Sequence, residues 1–307
     1  MTGKTVLFGG SGFLGPIILE KYPEILSLGR SQIPKNLKNK HININIEDLS
    51  SLDNLDFDRV IFLIGNSNHH QINKGGTMGI DYNVLPLKKA LDYLKKRIVK
   101  ENKSIKKFIA FSGALVYDWD KIKLPVNETQ PINPYKNDYL FSKYMAEELT
   151  KCYPEIPIIN IRLCNIYGPT KLIRPDFVPT LIQNTLSPNQ AEVWSTKPER
   201  DFIYAKDAAE AIVLLLEADY TGLINLGTGT MRSCGEVVKI IEKLSGKKAK
   251  DLDVPVSGQM KFVADNSLLR KLTGWVPKYS LEEGLTETYN TMKEYAEECK
   301  WWEKKEN

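Results

Sequence analysis

The sequence predicts an α/β fold in which a doubly wound parallel sheet carries a smaller C-terminal lobe. In the first half of the chain, short apolar runs alternate with longer amphipathic segments, the pattern of a parallel sheet covered on both faces. A glycine-rich turn joins the first apolar run to the first amphipathic segment. Beyond Gly168-Pro169 the composition shifts to a stretch rich in Pro, Asn and Thr over 170–200. We therefore expect a Rossmann-type domain over 1–169, to which a later strand can return, and mainly a second lobe over 170–307.

Each apolar run predicts a strand, and each amphipathic segment predicts a helix. The predicted strands are 4–8, 25–29, 41–46, 59–64, 107–112 and 156–162, and the predicted helices between them include 12–22, 80–99 and 138–151. The second half predicts a helix over 207–216, a strand over 223–226, and a helix over 233–245 that Gly246 ends. Right-handed crossovers bring the carboxyl ends of the strands to one edge, where ligands bind in open α/β sheets.

Composition excludes several classes of protein. Of 307 residues, 42% are hydrophobic and 26% charged, and the net charge of +4 is spread without a basic stripe, so we expect no nucleic-acid partner. No apolar run approaches the ~18 residues of a membrane span. Four cysteines without a C-x-x-C pair predict free thiols in the cytoplasm. Among three histidines, adjacent His69-His70 lacks ligand spacing, and we predict no metal site.

The segment Gly9-Gly10-Ser11-Gly12-Phe13-Leu14-Gly15 follows the first strand without a gap. A strand that runs into glycines and then into a helix brings bare backbone N–H groups and the positive helix end to one point, which suits a pyrophosphate. Gly9 permits the tight turn, Gly12 lets the backbone approach the phosphates, and Gly15 lets the helix pack on the strand. The turn predicts dinucleotide binding, and an ordinary glycine-rich turn is the alternative.

Tyr139 and Lys143 lie four residues apart on one face of a predicted helix. A nearby ammonium favours phenolate, so we expect Lys143 to lower the pKa of Tyr139 toward the range of an acid–base group. The same spacing occurs at Tyr117/Lys121, Tyr167/Lys171 and Tyr289/Lys293. Only Tyr139 opens an amphipathic helix after the strand that ends near Ser112, although a surface pair is the competing interpretation.

Motifs along nearly the whole chain resemble the extended short-chain dehydrogenase/reductase family, of the nucleotide-sugar epimerase/dehydratase type. Besides the glycine turn and the Tyr139/Lys143 pair, they are Asp81-Tyr82-Asn83-Val84, Phe111-Ser112-Gly113-Ala114-Leu115-Val116-Tyr117, Arg162-Leu163-Cys164-Asn165-Ile166-Tyr167-Gly168-Pro169, Arg200-Asp201-Phe202-Ile203-Tyr204, Thr273-Gly274-Trp275-Val276-Pro277-Lys278 and Leu281-Glu282-Glu283-Gly284-Leu285. This order of motifs is specific for the family and not for one reaction.

The resemblance implies a role for each matching residue. Tyr139 would exchange a proton with the sugar, Lys143 would hold the nicotinamide ribose, and Asn165 and Arg200 would face the substrate. Residues implied to bind the cofactor are Gly9, Gly12, Phe13, Leu14, Gly15, Leu63, Ile64, Gly65 and Asn83, together with Tyr139 and Lys143.

Four departures from the family pattern narrow these expectations. Gly113 stands where the family carries Ser or Thr, so Ser112, one residue earlier, is the remaining candidate hydroxyl if the strand bulges or ends there. Ala114 and Leu115 replace the Asp-Glu pair of family dehydratases, which argues against a 4,6-dehydratase. Val256 lies where many members carry a second basic residue for the diphosphate, so a smaller or differently charged substrate is an alternative.

The fourth departure concerns the cofactor. Arg30 follows the second strand in place of an acidic residue that would bind both ribose hydroxyls, and Arg30 would attract a 2′-phosphate. Asn45 and Ile46 lie where the family places an Asp near the adenine amino group. The sequence therefore favours NADP(H) over NAD(H).

The sequence predicts an NAD(P)-dependent oxidoreductase that acts on a sugar, with nucleotide-linked sugars as the expected class, as a C4 epimerase or 4-keto-sugar reductase. A catalytically weakened NAD(P)-binding regulatory or redox-sensing module is the alternative, favoured by Gly113 and Val256. Helices 80–99 and 138–151 have apolar stripes, and the resemblance implies that this pair of helices forms the contact of a homodimer. The other interpretation is that both stripes cover the sheet.

Overall fold

The computed structural model describes residues 4–172, 174–256 and 258–299. Its first half contains β1 (Thr5–Phe8), α1 (Leu14–Lys21), β2 (Leu26–Gly29), β3 (His41–Asn43), β4 (Arg59–Phe62), α2 (His69–Ile72), α3 (Met78–Asn83), α4 (Leu85–Glu101), β5 (Lys107–Gly113), α5 (Asp138–Thr150), β6 (Ile158–Leu163) and β7 (Asn165–Tyr167). The second half contains α6 (Phe177–Leu186), β8 (Ala191–Val193), β9 (Glu199–Tyr204), α7 (Ala205–Leu215), β10 (Gly222–Leu226), β11 (Met231–Ser233), α8 (Cys234–Ser245), β12 (Ala249–Asp251), α9 (Ser267–Thr273) and α10 (Leu281–Cys299).

A parallel sheet of seven strands, in the order β10-β6-β5-β4-β1-β2-β3, lies at the centre of the structure. The order reverses between β1 and β4, which is the switch point where Rossmann-type sheets bind ligands. The predicted fold class is therefore confirmed. β10, from the second half of the chain, forms one edge beside β6.

Alternate residues of the central strands enter two separate apolar layers. Leu7 and Ile61 pack with residues of α1 and α7 on one face. Val6, Phe8 and Phe62 pack with α4 on the other. Both faces are buried, which explains why these strands read as continuous apolar runs.

The second lobe is built from two small sheets, β11-β9-β7 and β12-β8, and from α6, α8 and α10. Its own apolar cluster includes Tyr167, Ile182, Val238 and Leu285. β7 leaves the end of β6 and pairs with β9, so the lobe begins beside the carboxyl edge of the large sheet. In the described part of the chain, no helix combines the length and apolar character that a membrane crossing needs.

Several predicted elements differ from the structure in their bounds, and three of the differences have a local cause. The predicted helix 80–99 is two helices, α3 and α4, with a break at Val84. Pro86 follows that break, and a proline has no N–H for the preceding turn and clashes with its carbonyl. α1 begins at Leu14, since residues 9–13 form the turn. The strand predicted over 41–46 ends at Asn43, because Asn45 turns the chain by accepting the N–H of Glu47 at 3.1 Å.

Gly15 lies where α1 crosses closest to the glycine turn. A Cβ at Gly15 would lie 2.5 Å from the carbonyl oxygen of Gly10 and 2.7 Å from its Cα. Both are backbone atoms, so the helix itself would have to move.

We expect Gly15→Ala to destabilise the protein by about 1–3 kcal/mol, the usual cost of overpacking. Urea unfolding followed by circular dichroism measures it. Gly113→Ala is the matched control: a Cβ there meets nothing within 4 Å and φ is −143°, so its stability should stay within about 1 kcal/mol of wild type. Equal unfolding midpoints for the two variants would contradict the close packing at Gly15.

Candidate active site

The glycine turn has the backbone geometry that a pyrophosphate needs. Gly9 has φ +86°, and a Cβ there would stand 3.2 Å from the backbone of Leu63 and of Ile64. The N–H of Gly12 donates to the carbonyl of Gly9 at 3.1 Å, which closes the turn. No side chain caps the first turn of α1, which begins after Phe13. Its N–H groups are therefore available to an anion at the positive helix end.

The segment that follows β4 connects this turn to the lysine on α5. The N–H of Leu63 donates to the carbonyl of Phe8 at 2.9 Å, which holds the ends of β1 and β4 together. Two residues later, a Cβ on Gly65 would lie 3.0 Å from Asn83 Oδ1 and 3.6 Å from Lys143 Nζ. Predicted cofactor residues from four segments of the chain thus meet at one edge of the sheet.

The buried Asn83 side chain holds this edge together. Its Oδ1 accepts the backbone N–H of Asn66 at 2.7 Å and a longer bond from Lys143 Nζ at 3.4 Å. Its Nδ2 donates to the hydroxyl of Ser142 at 3.0 Å, and that hydroxyl donates to the carbonyl of Tyr139 at 2.8 Å. One amide therefore links the segment after β4 to both ends of the Tyr139–Lys143 turn.

Tyr139 and Lys143 lie on one face of α5, with the ammonium 5.7 Å from the centre of the Tyr139 ring. Asn137 begins the helix by accepting the N–H of Leu140 at 2.9 Å, which places Tyr139 in the first turn. Burial lowers the pKa of Lys143 to about 8. This ammonium therefore loses its proton far more easily than an exposed lysine.

The expected lowering of the Tyr139 pKa is wrong for this arrangement. Burial, and then the carboxylate of Asp176, raise the pKa of Tyr139, and only the Arg174 guanidinium opposes them. Desolvation disfavours a phenolate more strongly than the nearby cations favour it. Any activation of Tyr139 needs additional positive charge in the site.

The other tyrosines with the same spacing are parts of the core. Tyr117 is fully buried and donates to Asn225 Oδ1 at 2.7 Å. Tyr167 and Tyr289 belong to the apolar cluster of the second lobe. The fold therefore places these three tyrosines in apolar cores, and Tyr139 remains the predicted catalytic residue.

Several neighbours of Tyr139 were not singled out by the sequence. The His69 ring lies 6.1 Å from the Tyr139 ring, centre to centre, and Asn73 Oδ1 accepts the Tyr139 backbone N–H at 3.0 Å. Arg174 lies 4.1 Å from the centre of the Phe13 ring and forms an ion pair with Asp176 at 2.6 Å. These residues come from the segment after β4 and from the start of the second lobe, so no local pattern joins them to Tyr139.

The end of β5 offers no accessible hydroxyl among its residues. β5 continues through Gly113 without a bulge in its register with β6, so Ser112 and Gly113 face opposite sides of the sheet. Ser112 is buried, and its Oγ has no hydrogen-bond partner among the described residues. The strand does not end at Ser112, which removes the route by which its hydroxyl would reach the Gly113 side. Its catalytic role remains a prediction.

The predicted substrate residues lie beyond the carboxyl edge, at the lobe. Asn165 is exposed at the start of β7. Arg200 Nη1 donates to the backbone carbonyls of Glu199 and Met260 at 3.0 and 2.9 Å, and burial lowers the pKa of its guanidinium. Val256 is half-buried, and Ser257 after it lies outside the described residues.

Residues predicted to meet the adenosine end follow β2 and β3. Arg30 is exposed, and none of the described residues pairs with its guanidinium. Asn45 is exposed as well, with Oδ1 already accepting the Glu47 N–H, and Ile46 beside it is half-buried. Within residues 4–172, 174–256 and 258–299, no group of three His, Cys, Asp or Glu side chains is arranged to hold a metal ion.

Comparison with known proteins identifies relatives of this chain. The model of the NAD dependent epimerase/dehydratase family matches residues 5–227. A probable GDP-L-fucose synthase of Oryza sativa subsp. japonica is 29% identical over 206 residues, 61% of this chain and 62% of that protein. A UDP-glucuronate 4-epimerase of Thermodesulfobacterium geofontis is 30% identical over 206 residues, 63% of this chain and 61% of that protein. The chain thus aligns with less than two thirds of either relative.

Solved structures agree with the fold over nearly the full length. The UDP-glucuronic acid 4-epimerase of Bacillus cereus, in complex with UDP-glucuronic acid and NAD, superposes with a TM-score of 0.79 at 23% identity. That match covers 95% of this chain and 99% of the other. With the family model spanning most of the chain, the sheet, the glycine turn and these relatives lead to one assignment: the chain belongs to the NAD dependent epimerase/dehydratase family, of the extended short-chain dehydrogenase/reductase type.

Proposed function

We propose that this protein is an NAD(P)-dependent enzyme that acts on a nucleotide-linked sugar, as a C4 epimerase or a 4-keto-sugar reductase, through Tyr139 and Lys143. The observation that carries the proposal is the Asn83 network, which brings Lys143 within 3.4 Å of the amide oxygen beside Gly65. This contact supports a single site that contains the cofactor turn and the candidate acid–base pair. The curated relatives and the Bacillus cereus structure, with their nucleotide-sugar names, support the substrate class.

The residues present fit a dinucleotide at the carboxyl edge. The uncapped first turn of α1 would receive the pyrophosphate, Gly65 would leave room beside Lys143, and Lys143 would hold the nicotinamide ribose. A bound nicotinamide supplies the means to accept and return a hydride. Tyr139 would take the proton of the sugar hydroxyl during oxidation and return it to the ketone oxygen during reduction.

The residues after β5 limit the reaction. Ala114 and Leu115 have side chains without an ionisable group, so elimination of water lacks the acid and base that it needs. From the protein itself, epimerisation and reduction both need only the proton that Tyr139 would exchange, and the hydride would come from the cofactor. They differ in the cofactor: an epimerase retains it through turnover, whereas a reductase consumes reduced cofactor stoichiometrically.

Tyr139→Phe removes only the phenolic proton and should lower kcat at least about 100-fold with UDP-glucuronic acid, UDP-glucose or GDP-mannose as the substrate tested, the contribution typical of a positioned acid–base group. Steady-state kinetics with product analysis measure the loss. Tyr144→Phe, on the same helix, is the control and should keep wild-type turnover. A loss below about tenfold in Tyr139→Phe would exclude the assigned role.

The preference for NADP(H) over NAD(H) is a proposal supported by Arg30. Its guanidinium is exposed at the end of β2, in the position where an acidic side chain would bind the ribose hydroxyls. A guanidinium and a phosphate form strong charge-assisted hydrogen bonds. NAD(H) lacks the 2′-phosphate and cannot form them at this position.

Arg30→Ala should weaken NADP(H) binding at least about tenfold and leave NAD(H) binding nearly unchanged, since a hydrogen bond to a charged group contributes about 1.5–3 kcal/mol. Isothermal titration calorimetry with each cofactor measures the ratio. The exposed Lys35 in the same loop provides the control Lys35→Ala, which should leave both affinities unchanged. Equal weakening of both cofactors by Arg30→Ala would argue against a role in discrimination.

We further propose a homodimer that forms through α3, α4 and α5. Large apolar side chains remain exposed on these helices: Tyr82 at 48%, Leu85 at 39% and Phe141 at 41%. The aromatic rings of Tyr135 and Phe141 lie 5.9 Å apart and extend this surface. Such contiguous exposed apolar patches are typical of protein–protein interfaces.

Light scattering at micromolar concentration should give the dimer mass for the wild type and the monomer mass for the double variant Leu85→Asp/Phe141→Asp, because charges in an apolar interface lose their hydration. Val276→Asp, at a similarly exposed residue between α9 and α10, is the control and should remain dimeric. A monomeric wild type would refute the dimer.

A cytoplasmic location remains a prediction from the sequence. The described cysteines, Cys152, Cys164 and Cys234, are free thiols, which is consistent with a reducing compartment.

A further inference from the structure

The short segment after β4 is fixed against the residue proposed to exchange the proton. Asn68 Oδ1 accepts the N–H of Gln71 at 3.0 Å and begins α2, and Asn73 at its end accepts the Tyr139 N–H at 3.0 Å. Between these anchors, His69 presents its ring to Tyr139 at 6.1 Å, with 57° between the two planes. The position of the imidazole is thus built into the fold at both ends of α2.

The His69 imidazole is suited to hydrogen bonding with a neutral hydroxyl. Burial, and then the neighbouring His70, lower the pKa of His69, while Asp176 opposes them. The ring is therefore neutral at pH 7, with one nitrogen that donates and one that accepts. Across the described part of the chain, neither ring nitrogen forms a hydrogen bond.

The other polar groups around Tyr139 already have partners. Lys143 binds Asn83, and Arg174 forms its ion pair with Asp176. At the end of β5, a Cβ on Gly113 would meet nothing within 4 Å. An open volume therefore lies at the end of β5, while an unpaired imidazole lies beside the Tyr139 ring.

We propose that His69 contacts the sugar directly and supplies the second hydrogen bond to the hydroxyl that exchanges its proton with Tyr139. This inference rests on the proposed function. The imidazole would take the place of the hydroxyl that Gly113 cannot provide. His70 packs edge-on against Trp194 of the second lobe at 5.8 Å, so α2 also joins the sheet edge to the lobe that covers the sugar.

His69→Ala should lower kcat at least about tenfold while KM changes less than about threefold, as for the loss of one hydrogen bond that strengthens in the transition state. His69→Gln, whose amide also donates and accepts, should recover a substantial part of the loss. The substrates tested are UDP-glucuronic acid, UDP-glucose and GDP-mannose. Lys74→Ala, at an exposed residue just after α2, is the control, with turnover expected within about threefold of wild type.

The double variant His69→Ala/Gly113→Ser tests the proposed substitution of one group for the other. A hydroxyl introduced into the open volume at residue 113 should raise kcat at least about fivefold over His69→Ala, and should give no such gain in the wild-type background. Equal gains in both backgrounds would show that the two positions do not serve the same hydroxyl and would overturn the inference.

The pH profile tests which partner donates the hydrogen bond. Groups that face His69 are His70 on its own helix, Tyr139 on α5, and Asp176 with its partner Arg174 before α6. The sugar hydroxyl gives its one proton to Tyr139, so its oxygen accepts the second hydrogen bond and an imidazole N–H donates it. The protonated ring donates as well, so protonation of His69, below the ordinary histidine pKa of about 6.5, should not remove this hydrogen bond. An acid limb of kcat/KM that is present in the wild type and absent from His69→Gln would overturn the inference.

Failure of the inference and failure of the proposed function give different results. Loss of turnover in Tyr139→Phe with wild-type kcat in His69→Ala rejects His69 alone. Normal turnover in Tyr139→Phe rejects both. His69→Ala should also bind NADP+ as the wild type does in calorimetry, because no cofactor contact is assigned to it, and a lost affinity would overturn its placement at the sugar.

Discussion

The arrangement of the site depends on one buried amide. Asn83 ends α3 directly before the break at Val84, and its side chain satisfies three groups that come from two other segments. A buried amide left without these partners would cost about 1–3 kcal/mol, so the segment after β4 and the first turns of α5 are held in one relative position. Pro86 lies just after the break between α3 and α4, and its missing N–H and its ring explain why one helix does not continue through Val84.

In this arrangement, the site lacks the positive charge that would favour a phenolate at Tyr139. Burial lowers the pKa of Lys143 to about 8 and raises that of Tyr139, which means that the protein holds both groups nearer to their neutral forms than water would. The Arg174–Asp176 pair adds no net charge beside Tyr139. A cationic cofactor ring would supply the positive charge that favours the phenolate, so acid–base chemistry at Tyr139 is coupled to cofactor binding.

Elements with a local cause could be predicted from the sequence. The glycine turn depends on the backbone conformation at Gly9 and on close packing at Gly15, and both require glycine, which the sequence shows directly. Tyr139 and Lys143 share a helix face, so their spacing carries the signal. His69 and Arg174 could not be assigned, because their proximity to Tyr139 arises from the loop after β4 and from the lobe, and sequence spacing does not encode it. The raised pKa of Tyr139 was missed for the same reason, since burial depends on the whole fold.

The central claim is that one cofactor lies across the sheet edge with its reactive ring beside Tyr139. The most direct test is a crystal structure of the protein with its dinucleotide bound. The account predicts the pyrophosphate on the N–H groups of the Gly9–Gly15 turn, Lys143 Nζ on the nicotinamide ribose, and the Tyr139 hydroxyl on the same side as the reactive carbon, within about 3–3.5 Å of a docked sugar oxygen. A nicotinamide ring turned away from Tyr139, or a dinucleotide bound elsewhere, would contradict it.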